Sequence, residues 1–172
     1  MASDLLIKNG TVVDGSGAPS YSGDIAIKGG RFVDPASLNN GTKVIDASGK
    51  VVAPGFVDIH THYDAQIMWD SLLTCSPWHG VTTVVMGNCG FTLAPCAPDD
   101  REYIMEMFGR VEGMNVNALR SGLDWNWTSF PEYIDRIGQE QLGINVGTMV
   151  GHSTVRRFVM GAAAATREAD AD

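Results

Sequence analysis

The sequence predicts an α/β fold in two parts. An all-β segment comes first, and a parallel sheet built of βαβ units follows it. Three observations carry this expectation. Short apolar runs broken by Gly-containing turns fill residues 5–53. Pro54-Gly55 then marks a boundary at which the pattern changes. Beyond it, strand-like runs alternate with helical stretches, which is how a parallel sheet is encoded. The expected division is residues 1–55 and residues 56–172.

The N-terminal part reads as three hairpins. Leu5-Leu6-Ile7-Lys8 and Thr11-Val12-Val13 flank Asn9-Gly10, a pair that tolerates the positive φ a type I′ turn requires. Asp24-Ile25-Ala26-Ile27-Lys28 and Arg31-Phe32-Val33 flank Gly29-Gly30 in the same way. Lys43-Val44-Ile45-Asp46 and Val51-Val52-Ala53 flank Ala47-Ser48-Gly49-Lys50. Half-apolar strands of this kind suit a small antiparallel β-sandwich. None of these residues has a catalytic pattern.

After the boundary, Phe56-Val57-Asp58-Ile59-His60-Thr61-His62 is a strand. A short helix is expected over residues 65–73. Val81-Thr82-Thr83-Val84-Val85-Met86 is β-branched almost throughout, as for a strand buried on both faces. Helical patches follow at residues 99–109 and 129–138. Ile144-Asn145-Val146-Gly147-Thr148-Met149-Val150 is the third strand, and residues 162–172 favour helix.

Composition removes several classes of function. The net charge is −8 with no basic cluster, which disfavours nucleic acid and anionic membrane as partners. No apolar run approaches the about 18 residues of a membrane-spanning helix. The start, Met1-Ala2-Ser3-Asp4, lacks the pattern of a secretory signal. Three cysteines, Cys75, Cys89 and Cys96, are odd in number and show no C-x-x-C spacing. A reduced, cytoplasmic setting is therefore expected.

The residues with chemistry sit at strand ends. His60 and His62 are two apart, so on a strand both imidazoles leave the same face, and Asp58 is expected to join them. Neutral imidazole is a common zinc ligand, although an isolated H-x-H fits hydrogen-bonded histidines as well. Cys89 lies in Gly87-Asn88-Cys89-Gly90, just past the second strand, where the chain can turn and present a thiol. By residue type alone, a free cysteine reads as a small buried hydrophobe. His152, in Gly151-His152-Ser153 past the third strand, has three readings: substrate contact, support of a ligand, or a turn cap. His79 falls at the opposite edge, Cys75 and Cys96 read as structural, and the four tryptophans read as packing.

Together these residues resemble the N-terminal part of an amidohydrolase-superfamily enzyme. The likeness runs from Asp46-Ala47-Ser48-Gly49-Lys50 through Pro54-Gly55-Phe56-Val57-Asp58-Ile59-His60-Thr61-His62. His62-Tyr63-Asp64 and the run from Gly80 to Gly90, ending in Gly-Asn-Cys-Gly, resemble the D-aminoacylase (N-acyl-D-amino-acid deacylase) group. Gly151-His152-Ser153-Thr154-Val155-Arg156 and Val159-Met160-Gly161 are similar to its third-strand region. Arg31-Phe32-Val33-Asp34-Pro35 departs from the usual hairpin, a difference expected to touch the sandwich and not the site.

The resemblance implies a small β-sandwich leading into the first strands of an incomplete, metal-dependent (β/α)8 barrel. It implies that His60, His62 and Cys89 ligate zinc, one ion or two, with Asp58 orienting them. His152 would support the site or touch substrate. The implied reaction is hydrolysis of an N-acyl-D-amino acid, in which zinc polarises the amide carbonyl and activates water. An aspartate of the barrel would move protons to the leaving amine. A full barrel takes about 250 residues, and far fewer follow residue 55. No catalytic residue is therefore expected within this fragment, which is expected to be inactive alone and to self-associate through its open sheet edge. Two other readings remain: a hydantoinase or dihydropyrimidinase type of cyclic-amide hydrolase, against which Gly-Asn-Cys-Gly speaks, and a non-catalytic interaction or metal-binding module.

Overall fold

The computed structural model describes residues 4–38 and 42–170. The chain divides after Pro54 into two compact units.

The first unit is one five-stranded sheet. Its strands are β1 (Leu5–Val12), β2 (Tyr21–Lys28), β3 (Arg31–Val33), β4 (Lys43–Asp46) and β5 (Val51–Val52), ordered β3-β2-β1-β4, with β5 also on β1. One of the three expected hairpins forms, β2 to β3. Gly29 and Gly30 both take positive φ, 56° and 76°, as a type I′ turn demands.

The other two hairpins are replaced by longer-range pairing. Asn9-Gly10 does not reverse the chain but lies inside β1. Asn9 is left-handed (φ 62°) and interrupts the pairing register with β2 between Ile7 and Gly10. Asp24 and Asp46 hold it there. The Asn9 backbone N–H donates to Asp24 Oδ1 at 2.9 Å, and Asn9 Nδ2 donates to Asp46 Oδ1 at 3.1 Å. The β4 and β5 strands both run parallel to β1, pairing with its first and second halves. The Ala47–Lys50 turn therefore steps the chain along β1 rather than folding it back. Gly10 makes this approach feasible, because a Cβ there would sit 2.5 Å from Val52 Cγ2.

The second unit holds a three-stranded parallel sheet, β6 (Phe56–Thr61), β7 (Val81–Met86) and β8 (Asn145–Thr148), in the order β6-β7-β8. Gly55 is required before β6, since a Cβ there would fall 2.1 Å from Thr82 Cγ2 of the neighbouring strand. Between β6 and β7 the expected helix over residues 65–73 is replaced by two 3-10 turns, Gln66–Met68 and Ser76–His79. The Asp70 carboxylate accepts from the Thr74 backbone N–H (2.9 Å), the Thr74 hydroxyl (2.5 Å) and Gln66 Nε2 (3.0 Å). Such local bonds compete with the helical ladder.

Helices α1 (Arg101–Val111), α2 (Val116–Gly122) and α3 (Phe130–Ile137) fill the β7–β8 connection, and α4 (His152–Met160) follows β8. The α3 helix starts at a capping box in which Ser129 and Glu132 satisfy each other's backbone donors. Asn115 caps α2. These helices bury one side of the sheet. Val84 and Met86 of β7 pack with Ile104, Phe108, Leu119, Trp127 and Tyr133 in a single core. The expectation that β7 is buried on both faces is corrected by the burial pattern. Val84 and Met86 are fully buried, whereas Val81, Thr83 and Val85 are only half-buried. Trp125 and Trp127 pack as expected, but Trp69 and Trp78 are exposed. The helix expected at 162–172 is also corrected: Gly161–Ala165 form a 3-10 turn, and no helix continues through residue 170.

Candidate metal centre

The site is assembled at the C-terminal end of β6 and β7. Thr61 closes β6 facing the buried side, where its hydroxyl donates to Val85 O at 3.0 Å. Strand alternation then turns its neighbours His60 and His62 the other way. The two rings lie with centroids 5.2 Å apart and planes tilted by 54°.

Cys89 reaches the same place through the turn after β7. Gly87 and Gly90 take φ of 80° and 89°, which a side chain would resist. Gly90 N–H donates to Gly87 O at 3.0 Å and closes the turn. Asn88 Nδ2 donates to Ile59 O at 2.9 Å and ties the turn to β6. The Cys89 sulfur is 3.8 Å from His62 Nδ1 and accepts the Phe91 backbone N–H at 3.4 Å. One donor atom from each of His60, His62 and Cys89 lies within 4.8 Å of the others. Two imidazoles and a thiol at such spacing form a nitrogen–sulfur donor set of the kind zinc prefers.

The turn is braced from the far side. Ser153 N–H donates to Gly90 O at 3.0 Å, at the start of α4. Buried Thr154 donates to Thr92 O at 2.9 Å, and the Thr92 N–H donates back to its hydroxyl at 3.2 Å. A Cβ on Gly151 would lie 2.8 Å from Gly90 O, so that residue is small by necessity.

Other expected residues fall as follows. Asp58 Oδ1 accepts the His60 backbone N–H at 3.2 Å, a bond to backbone and not to an imidazole. His152 is exposed as the first residue of α4, and among the described residues its ring makes no hydrogen bond. His79 precedes β7, at the opposite edge. Cys75 is exposed, whereas Cys96 is buried and burial pushes its thiol up to about 12, which suits an inert role.

Two carboxylates beside the cluster had no role in the sequence reading. Glu112 Oε2 is 3.1 Å from His62 Nδ1, with only 10% of its side chain exposed. Fifty positions separate the two residues, so no local pattern signals the pairing. Asp64 is fully buried, and neither carboxylate oxygen has a hydrogen-bond partner among the described residues. Burial pushes its carboxyl up to about 7, and the nearby Glu112 charge adds to the shift. An acid two residues past H-x-H was visible in the sequence, but its burial was not.

Residues 43–172 match the amidohydrolase family. The chain is 36% identical over 159 residues to the D-aminoacylase of Alcaligenes xylosoxydans xylosoxydans, covering 91% of this chain and 31% of that protein. A solved D-aminoacylase, studied for its binuclear metal centre, superimposes with a TM-score of 0.75 at 35% identity, over 99% of this chain and 34% of that one. The N-acyl-D-glutamate deacylase of Bordetella bronchiseptica, solved with zinc and a phosphonate inhibitor, gives a TM-score of 0.63 at 29% identity, over 91% and 31%. The chain thus spans about a third of the length of these relatives. On the family match over most of its residues, the chain belongs to the amidohydrolase family.

Proposed function

We propose that this chain is the metal-binding N-terminal part of a zinc-dependent hydrolase that cleaves the amide bond of N-acyl-D-amino acids. The observation that carries the reading is the convergence of His60, His62 and Cys89, with donor atoms within 4.8 Å of one another. The donor types fit zinc, and relatives named for D-aminoacylase and N-acyl-D-glutamate deacylase activity support the substrate class. The proposed ligands are His60, His62 and Cys89, for one ion or two, in keeping with the binuclear centre of the D-aminoacylase relative. When bound, such an ion supplies Lewis-acid activation of an amide carbonyl and of water.

The chain's own residues hold and shape this site. Asn88 and the glycines around Cys89 fix the thiol beside the imidazoles. Asp58 holds the His60 backbone, and His152 stands at the α4 start beside the Gly90 turn, in reach of substrate in this reading. Residues 1–55 are assigned to the β-sandwich segment and residues 56–172 to the first part of the barrel. A cytoplasmic setting is supported by three free cysteines. No helix among the described residues is long and apolar enough to cross a membrane. Exposed Phe56, Val57 and Ile59 on the edge strand β6 favour self-association of the chain on its own.

Two samples are compared. Release of free amino acid from N-acetyl-D- and N-acetyl-L-amino acids is measured with added zinc. The 172-residue polypeptide alone is expected to show no turnover. A longer protein that contains it is expected to release the D-amino acid and to lose this activity with His60→Ala. Preference for the L-substrate, or activity indifferent to His60, would overturn the proposal.

A further inference from the structure

Glu112 is a carboxylate in an unfavourable place. It follows the last turn of α1, where its backbone N–H donates to Phe108 O at 2.9 Å. Helix C-termini carry partial negative charge, so an acid is disfavoured there. Its side chain is also nearly buried, and taking a carboxylate out of water without a partner is costly. Two features nevertheless hold it in position. Gly113 takes φ 68° and ends the helix sharply, and Gly109 lets residues 114–116 pass close behind, where a Cβ would meet Val116 Cγ2 at 2.6 Å. The α1 helix itself is anchored in the core by Ile104, Met105 and Phe108. Among the described residues, the partner of the Glu112 carboxylate is His62 Nδ1, at 3.1 Å.

We propose that Glu112 is the positioning residue of the His62 imidazole, an inference that rests on the metal-site reading above. In this proposal His62 Nδ1, 3.1 Å from Glu112 Oε2 and 3.8 Å from the Cys89 sulfur, carries the ring proton and offers it to the carboxylate oxygen, which accepts it. That tautomer would leave the Nε2 lone pair for an ion. The task expected of Asp58 thus passes, for His62, to a residue on a distant helix. The Asp58 carboxylate is bonded to the His60 backbone instead.

The test compares wild type, Glu112→Gln, Glu112→Ala and His62→Ala, each checked for native folding by circular dichroism. Metal-free protein is first examined by long-range 1H–15N NMR of the imidazoles. His62 is expected as the Nδ1–H tautomer in wild type and as a tautomer mixture in Glu112→Ala. Cobalt(II) is then titrated alone as the probe. Glu112→Ala is expected to bind about 10- to 100-fold more weakly, the usual cost of losing such a partner. Glu112→Gln keeps an acceptor and is expected to restore both the tautomer and part of the affinity. A wild-type His62 protonated on Nε2, or a Glu112→Ala chain with unchanged tautomer and cobalt affinity, overturns the inference while leaving the metal site standing. A wild-type chain that takes up no cobalt defeats the metal-site reading itself, by a signal separate from the Glu112 comparison.

Discussion

Replacing Asp64 by Asn is expected to change how the stability of the chain depends on pH. Asp64 is fully buried with both oxygens unpartnered, and its carboxyl is pushed up from 3.8 to about 7. In the unfolded chain the same group ionises near about 4. Below that value both states are protonated, and the full contribution to stability is present. Between about 4 and about 7 the unfolded chain releases its proton while the folded chain keeps it, so stability falls as pH rises. Above about 7 both states are ionised and the loss is complete. The move from 3.8 to about 7 corresponds to about 4 kcal/mol over the whole window, as an upper bound, and about 3 kcal/mol between pH 5 and 8. The Asn variant lacks this proton, and its own packing cost does not vary with pH. Urea unfolding of metal-free protein, followed by tryptophan fluorescence, measures both chains at pH 5 and pH 8. Wild type is expected to lose about 3 kcal/mol relative to Asp64→Asn over that range. A difference that stays flat would show that Asp64 is ionised in the folded state and that the burial argument fails.

Two further predictions concern the turn that carries Cys89. Gly87→Ala forces a side chain into φ 80° with its Cβ 2.4 Å from Met149 O, and is expected to destabilise the chain by about 1–3 kcal/mol, read as a lower melting temperature. Thr154→Val leaves Thr92 O and the Thr92 N–H without their buried partner, at an expected cost of about 1–3 kcal/mol in urea unfolding.

The sequence was most legible where a single segment carries the signal. β7 falls on Val81–Met86, as its β-branched run between Gly80 and Gly87 predicts, because length and punctuation together allow little else. His60 and His62 are read correctly as neighbours because two-residue spacing on a strand has one geometric consequence. The failures share a different cause. Asn9-Gly10 has the local chemistry of a hairpin turn, but parallel pairing of β1 with β4 and β5 keeps the strand running through it. The Ala-rich stretch at 162–165 has helical propensity, yet Gly161 at φ 57° breaks the continuation of α4, and Arg156 Nε donates to Ala164 O at 3.0 Å to hold the tighter turn. The Glu112 partnership with His62 is likewise tertiary, made by packing a helix whose own pattern shows only an amphipathic face. Local pattern specifies elements and same-strand neighbours; contacts between distant segments depend on packing that no short window contains.

His60, His62 and Cys89 are proposed to bind metal together, as one ion or two. Cobalt(II) binding, followed by the thiolate-to-cobalt charge-transfer band, tests this most directly, using wild type and the variants Cys75→Ser, Cys89→Ser, Cys96→Ser and His60→Ala. The band is expected in wild type, Cys75→Ser and Cys96→Ser, and is expected to vanish in Cys89→Ser and weaken strongly in His60→Ala. A band that survives in Cys89→Ser, or that disappears with Cys75 instead, would contradict the account.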